Sequence, residues 1–292
     1  MRDVVTSPLA ASHADFDVIR RIEKDLVKRA GSMERLRADL PRLIREAIDE
    51  VIDTPRTGRV HASELEKTEK TYIGTKVEIL VRNYFKLPKG ILDLKIDGLD
   101  VDVKNTLANN WMIPKEAVGK PCILVYSDEQ KRRCGFGVVV AHDIHLGAGS
   151  NQDKKKSISK TGFAMIHWMM ADVPYEESFW SRLGTKKTHE IMKKSSGSAR
   201  VEALFREALK LPVHRDIIEA TAQQKDYMKR LRKNGGARDA LASDGIALLS
   251  GNFNKDLIKT LGLPPIGRDE FMSYRPTSSD HISRLRQHGK ID

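Results

Sequence analysis

The chain of 292 residues has only two cysteines, Cys122 and Cys134, and they fall in different strand-like runs. That scarcity argues against a disulfide framework or a cysteine metal knuckle and for two reduced core thiols in a cytosolic protein. No apolar run approaches the roughly 20 residues that a membrane helix needs. The opening residues, MRDVVTSPLAASHADFDVIRR, lack the apolar centre of a secretory signal, so the expected location is the cytoplasm. No internal repeat is visible. Negative charge is also in deficit: 40 Asp and Glu stand against 51 Lys and Arg, a net charge of +11. Such a balance favours polyanionic partners, above all nucleic acid, through attraction to phosphates that is independent of sequence.

What is present describes a globular chain, 40% apolar and 31% charged, long enough for two domains with a core each. Ile, Leu and Val recur at three- and four-residue spacings from Phe16 to Asp53, which predicts two helices separated at Gly31. Pro55 to Gly58 reads as a turn. A further helix is expected from about Ser63 to Phe85, with Ile73, Val77, Leu80, Val81 and Tyr84 on its apolar face. Gly74 within it suggests close approach of another backbone. After a hairpin at 91–106 come a loop with a short helix begun near Pro114, the strand-like runs CILVYS and CGFGVVVAH, a loop GAGSNQDKKKSISKTG, and the apolar segment FAMIHWMM. The pattern weakens after Ala171. The expected organisation is therefore residues 1–172 as one domain, 173–197 as a linker, and 198–292 as a small helical domain with a polar, poorly ordered tail after Met272.

The hairpin carries the sharpest signal. In ILDLKIDGLDVDVKNT, Asp97-Gly98 is a two-residue turn between alternating runs. That register sets Ile96 opposite Leu99, Lys95 opposite Asp100, Leu94 opposite Val101 and Asp93 opposite Asp102. One face is then wholly apolar. The other sets two carboxylates about 5 Å apart at their β-carbons, with Lys104 two residues beyond Asp102. Facing carboxylates repel unless a proton or cation lies between them. Acidic groups followed by acid-x-Lys on a strand suit metal-dependent phosphodiester hydrolysis: Asp93 and Asp102 hold Mg²⁺, Glu78 on the preceding helix completes the shell, and Lys104 orients the attacking hydroxide or steadies developing charge. The plainer alternative is a solvated strand face, as expected for the Lys95–Asp100 pair.

A second constellation lies in HRDIIEATAQQKDYMKRLRKNGGARDALASDGIALLSG. Two short helices meeting near Thr221, which can cap the second, then a glycine pair and two strand-like pieces around ASDG, follow the order of a winged helix-turn-helix. The second helix offers Gln223, Gln224, Lys225, Tyr227, Lys229, Arg230, Arg232 and Lys233, and Arg238 follows, as DNA contacts: glutamines for adenine edges, basic residues for phosphate or guanine. A merely solvated basic helix is the alternative. His142-x-x-His145 has metal-like spacing without nearby partners and reads as structural, and Lys154 to Lys156 as a flexible basic loop.

PRTGRVHASELEKTEKTYIGTKVEI, GLDVDVK and WMIPKEAVGKPCILV closely resemble the endonuclease part of the NaeI-type restriction endonucleases. SARVEALFRE, ATAQQKDYMKRLRKNGGARDAL and LGLPP resemble the C-terminal domain of that family, in the same order. The resemblance spans about residues 50 to 265. It implies an α/β enzyme with a mixed-sheet nuclease core of the PD-(D/E)xK kind, followed by a winged-helix domain that also binds DNA. It places the family's active site on Glu78, Asp93, Asp102 and Lys104, with the carboxylates as Mg²⁺ ligands. It further implies a homodimer acting on double-stranded DNA and activated by a second copy of its recognition sequence. The competing classes are a non-catalytic winged-helix regulator and a repair or nicking nuclease on the same scaffold.

Overall fold

The computed structural model describes residues 4–108, 110–224, 228–232 and 235–292. Contacts gather the chain into two compact units: residues up to Ile52 with His61–Ser178, and Asp53–Val60 with Phe179–Asp292.

The first unit opens with α1 (Phe16–Ala30) and α2 (Met33–Ile52). Gly31 separates them at φ 95°, a conformation from which its N–H reaches back to the carbonyls of Val27 and Lys28. Ile19, Ile22 and Leu26 of α1 and Leu36, Leu40, Ile44 and Ile48 of α2 are buried at the predicted spacing. The single helical turn α3 (Thr54–Thr57) and a 3₁₀ turn lead to α4 (Lys67–Tyr84). A capping box starts α4, the Glu66 amide donating to Glu69 Oε2 at 2.8 Å. Ile73, Val77 and Val81 are its buried face. Gly74 has open space about it, so no backbone approaches there.

Strands β1 (Leu94–Ile96) and β2 (Leu99–Thr106) form the hairpin with Leu94 opposite Val101, Lys95 opposite Asp100 and Ile96 opposite Leu99. Asp97 and Gly98 both have positive φ, 46° and 78°, as a two-residue turn of this hand requires. After β3 (Met112–Ile113), β4 (Pro121–Asp128) runs parallel to β2, and β5 (Arg133–Val140) runs antiparallel to β4. The predicted loop at 147–162 is instead partly a sheet: β6 (Leu146–Ser150) and β7 (Lys156–Ile158) join β3 in the order β3-β7-β6, ahead of α5 (Lys160–Ala164). β8 (His167–Pro174) completes a five-stranded mixed sheet ordered β1-β2-β4-β5-β8. Alternate residues of β4 enter different cores: Ile123 and Val125 join the helices, while Cys122, Leu124 and Tyr126 join Trp111 and Trp168. Burial on both faces explains the unbroken apolar run CILVY. Both cysteines are buried free thiols. A mixed sheet flanked by helices fits the restriction-endonuclease-like architecture.

In the second unit, α6 (Phe179–Leu183) and α7 (Thr185–Met192) occupy the stretch expected as a linker, and Phe179, Trp180, Leu183 and Ile191 are buried in its core. The chain continues as α8 (Gly197–Glu207), β9 (Val213–His214), α9 (Arg215–Ala222), α10 (Met228–Leu231), α11 (Ala237–Ser243), β10 (Ala247–Ser250), α12 (Lys255–Thr260), β11 (Glu270–Tyr274) and α13 (Ser279–Gln287). The sheet is antiparallel, ordered β10-β11-β9. ALAS before Asp244-Gly245 is helical rather than a strand, because Leu241 anchors that turn in the core. The tail is not loose: α13 buries Leu285, and Ile291 packs with it against Leu249 and Tyr274. Among the described residues no helix is long and apolar enough to cross a membrane.

Candidate active site

Asp102 lies on β2 beside Cys122 of β4, and that neighbour strand explains its burial: its side chain is 4% exposed. Lys104 Nζ donates to Asp102 Oδ1 at 2.7 Å and lies 2.7 Å from Oδ2, yet Oδ2, also buried, accepts no hydrogen bond. The same ammonium is 3.6 Å from Asp93 Oδ2, which accepts the Val103 amide at 2.7 Å. The structure therefore brings Asp93, Asp102 and Lys104 together on the hairpin. α4 packs beside β2 and carries Glu78 into the field of Asp93, while Arg82, one turn on, lies 3.6 Å from Glu78.

One ammonium faces two carboxylates, and the electrostatics record the shortfall. Burial, opposed by Lys104 and assisted by Asp93, pushes the Asp102 carboxyl up to about 6. Glu78 is raised by burial and by the Asp93 charge, with Arg82, Lys104 and Lys89 opposing. Burial alone lowers the Lys104 ammonium, but Asp102 and Asp93 outweigh it and hold it above the ordinary lysine range. A hard divalent cation suits this donor set of carboxylate oxygens, and Asp102 Oδ2, which has the Lys104 charge beside it but accepts no hydrogen bond, is an available ligand atom. The arrangement is open: among the described residues no three His, Cys, Asp or Glu side chains converge as a closed metal cage.

The rest of the crowded hairpin face has another use. Asp100 stands opposite Lys95 but does not pair with it; its Oδ1 accepts the Ile91 amide at 2.7 Å. Arg82 and Lys89, which temper Glu78, escaped the sequence reading, although the i,i+4 spacing of Glu78 and Arg82 was a usable signal. His142 is structural as expected, its Nε2 2.8 Å from Asp15 Oδ1. Lys156 opens β7 and is held at 2.6 Å by Asp143, rather than lying in a free loop.

In the second unit the predicted DNA-contact residues are divided. Lys225, Tyr227 and Lys233 lie outside the described residues. Gln223 ends α9 at φ 53° instead of opening the next helix; its Nε2 donates to Pro55 O at 2.9 Å, and Arg200 donates to its Oε1 at 3.3 Å. Gln224 accepts from Arg230, which also donates to Ser198 Oγ. Thr221 is buried inside α9, where its hydroxyl donates to Ile217 O at 2.6 Å. Both glutamine side chains are therefore engaged within the unit. Lys229 and Arg232 are exposed around α10. Arg238 in the first turn of α11 is part-buried, its Nε has no hydrogen-bond partner, and desolvation lowers its guanidinium from the usual range.

Comparison with known proteins joins these observations. Residues 35–283 match the family model described as restriction endonuclease NaeI. The chain is 32% identical over 268 residues to the type II restriction enzyme NaeI of Lentzea aerocolonigenes, covering 85% of this chain and 84% of that protein. A match across most of the chain, spanning both the carboxylate–lysine hairpin and the basic second unit, shows that the chain belongs to the NaeI restriction endonuclease family.

Proposed function

We propose that this protein is a type II site-specific deoxyribonuclease that hydrolyses phosphodiester bonds in double-stranded DNA with Mg²⁺, using Glu78, Asp93, Asp102 and Lys104. The observation that carries the reading is the Asp93–Lys104–Asp102 cluster, in which two carboxylates share one ammonium, in a chain of this family. Asp93 and Asp102 are the principal ligands, and Glu78 adds an oxygen from α4. A bound Mg²⁺ supplies polarisation of the phosphate and a lowered pKa for coordinated water. Lys104, kept charged by both carboxylates, hydrogen-bonds the non-bridging phosphate oxygen as negative charge develops and orients the attacking water. The Val103 amide fixes the Asp93 carboxylate, so its free oxygen keeps one direction.

The second unit is proposed as a winged-helix DNA-binding domain. Its order of helix α8, strand β9, helix α9, helix α11 and strands β10 and β11 supports that reading, as do Lys229, Arg232 and the unpartnered Arg238 Nε. Each chain carries one carboxylate–lysine set, so cutting both strands together calls for two copies, and a homodimer follows. With DNA at both units, occupancy of one site favours the cutting-competent state of the other through a coupling free energy, roughly 1–3 kcal/mol.

The test is incubation of plasmid with the purified chain, with and without Mg²⁺, followed by sequencing of the ends. Double-strand breaks at one recurring sequence, abolished by chelation, are expected. Nicks alone, or binding without cleavage, would discard the reading in favour of a nicking nuclease or a regulator. Second-site activation is tested on a one-site plasmid by adding a short duplex bearing the mapped sequence: an increased rate is expected, and an unchanged rate removes activation alone.

A further inference from the structure

Two residues before Asp93, Ile91 is 89% exposed, the most open of the large apolar side chains among the described residues. A single exposed isoleucine means little by itself. This one sits on backbone tied to the hairpin at several points. Its amide donates to Asp100 Oδ1 at 2.7 Å, and Lys95 N donates to Pro88 O at 2.9 Å. Gly90 is packed so closely that an added Cβ would collide with Asp100 Oδ1 and lie 2.8 Å from the Leu94 carbonyl oxygen. The segment Pro88–Leu92 is thus clamped to the hairpin that carries Asp93 and Asp102. Asp100, which forms no ion pair with the lysine opposite it, acts as the clamp.

Chain reach then limits where Ile91 can be. Two residues span at most about 7 Å, which is roughly two nucleotide rises of a duplex strand. A strand whose phosphate sits at Asp93 and Asp102 presents sugars and base edges within that distance. We infer that Ile91 is a substrate-positioning residue, pressing its side chain against the sugar or base edge next to the scissile phosphate, with the Asp100–Gly90 clamp setting its direction. The inference rests on the active-site reading above. An apolar contact suits this place: carboxylates already surround the phosphate, and a non-ionic wedge fixes the strand without adding to that charge.

The experiment compares wild type, Ile91→Ala, Ile91→Met and Asp100→Ala on a duplex bearing the mapped cut site. Single-turnover cleavage by Ile91→Ala should slow about tenfold, with duplex affinity within about threefold and an unchanged melting temperature. Ile91→Met should recover most of the rate, and Asp100→Ala should reproduce the loss by freeing the Ile91 amide. With 2-aminopurine placed at each nucleotide flanking the cut, one position should change fluorescence on binding wild type in Ca²⁺ and not on binding Ile91→Ala. If wild type fails to cut any duplex with Mg²⁺, the active-site reading itself falls. If wild type cuts and Ile91→Ala cuts equally fast, or slows only in step with a shift from dimer to monomer in sedimentation, the inference alone is overturned.

Discussion

The hairpin of the first unit and the α9–α11 region of the second are both dense in polar side chains, but they spend them differently. On the hairpin, two carboxylates share one lysine and a buried oxygen accepts no hydrogen bond. Around α9, glutamine amides and arginines bond to one another and to backbone carbonyls, so the surface is largely self-satisfied. A residue type that suits a ligand is informative only when its partners within the fold are incomplete. By that criterion Asp102 and Arg238 are the strong candidates of their units, and Gln223 and Gln224 are weak ones.

The contrast can be broken at several strengths. The largest effect is expected from Lys104→Ala and Asp102→Ala, each lowering the cleavage rate by about 10³ or more while circular dichroism and duplex binding persist. A Lys104→Ala enzyme that cuts plasmid near the wild-type rate would remove the hairpin from the chemistry. Next in size is a pH effect. Because the Asp102 carboxyl is pushed up to about 6, it takes up a proton below that pH and loses its value as a ligand. At limiting Mg²⁺, cleavage should fall about tenfold per unit as pH drops below about 6, and more Mg²⁺ should move the fall to lower pH, because metal and proton compete for the same oxygens. The same upward shift has a stability sign. Without metal, protonated Asp102 favours the fold, so its contribution is present below the ordinary carboxylate range and is lost as pH rises through about 6. Asp102→Asn should flatten that part of the melting-temperature profile. In the second unit, Arg238→Ala should weaken duplex binding several-fold and reduce the logarithmic salt slope by about 1, with the cut sequence unchanged. The smallest effect belongs to Gln223→Ala: a stability loss of about 1 kcal/mol in denaturant titration and no change in the sequence cut. A changed recognition sequence there would show that the glutamine leaves Pro55 to read a base.

Much of the first unit was legible because its signals are local and periodic. Asp97-Gly98 determines the hairpin register, and period-2 alternation then decides which residues share a face, so the sequence alone groups Asp93, Asp102 and Lys104. Glu78 could be offered as an acid on the preceding helix, and the family resemblance pointed to the same residue, but that α4 packs beside β2 is a tertiary fact that no spacing within α4 reveals. The apolar stripe of α4 was readable by the same logic, but the reason for Gly74 was not, since a permissive residue in open space leaves no trace in the pattern. The second unit was harder. Its helices are short, so few turns of periodicity mark their ends, and Gln223 takes a left-handed backbone that asparagine or glycine would have advertised. The tail after Met272 looked polar because α13 buries little beyond Leu285; one anchor is too few for a periodic signal.

The eight residues Asp53–Val60 have a consequence for how the molecule is made. They sit between two segments of the first unit, yet Val60 is fully buried in the second core, and their carbonyls accept from His189 and Gln223. On the ribosome this stretch emerges more than a hundred residues before the helices that receive it. The second unit therefore closes only by capturing a strap already synthesised, and a single cut after Ser178 releases a fragment that lacks part of its own core. The first unit is complete once Ser178 has been made, whereas the second waits for the chain beyond Phe179 to join its early strap, so excising the second as a free-standing domain requires a splice rather than a truncation.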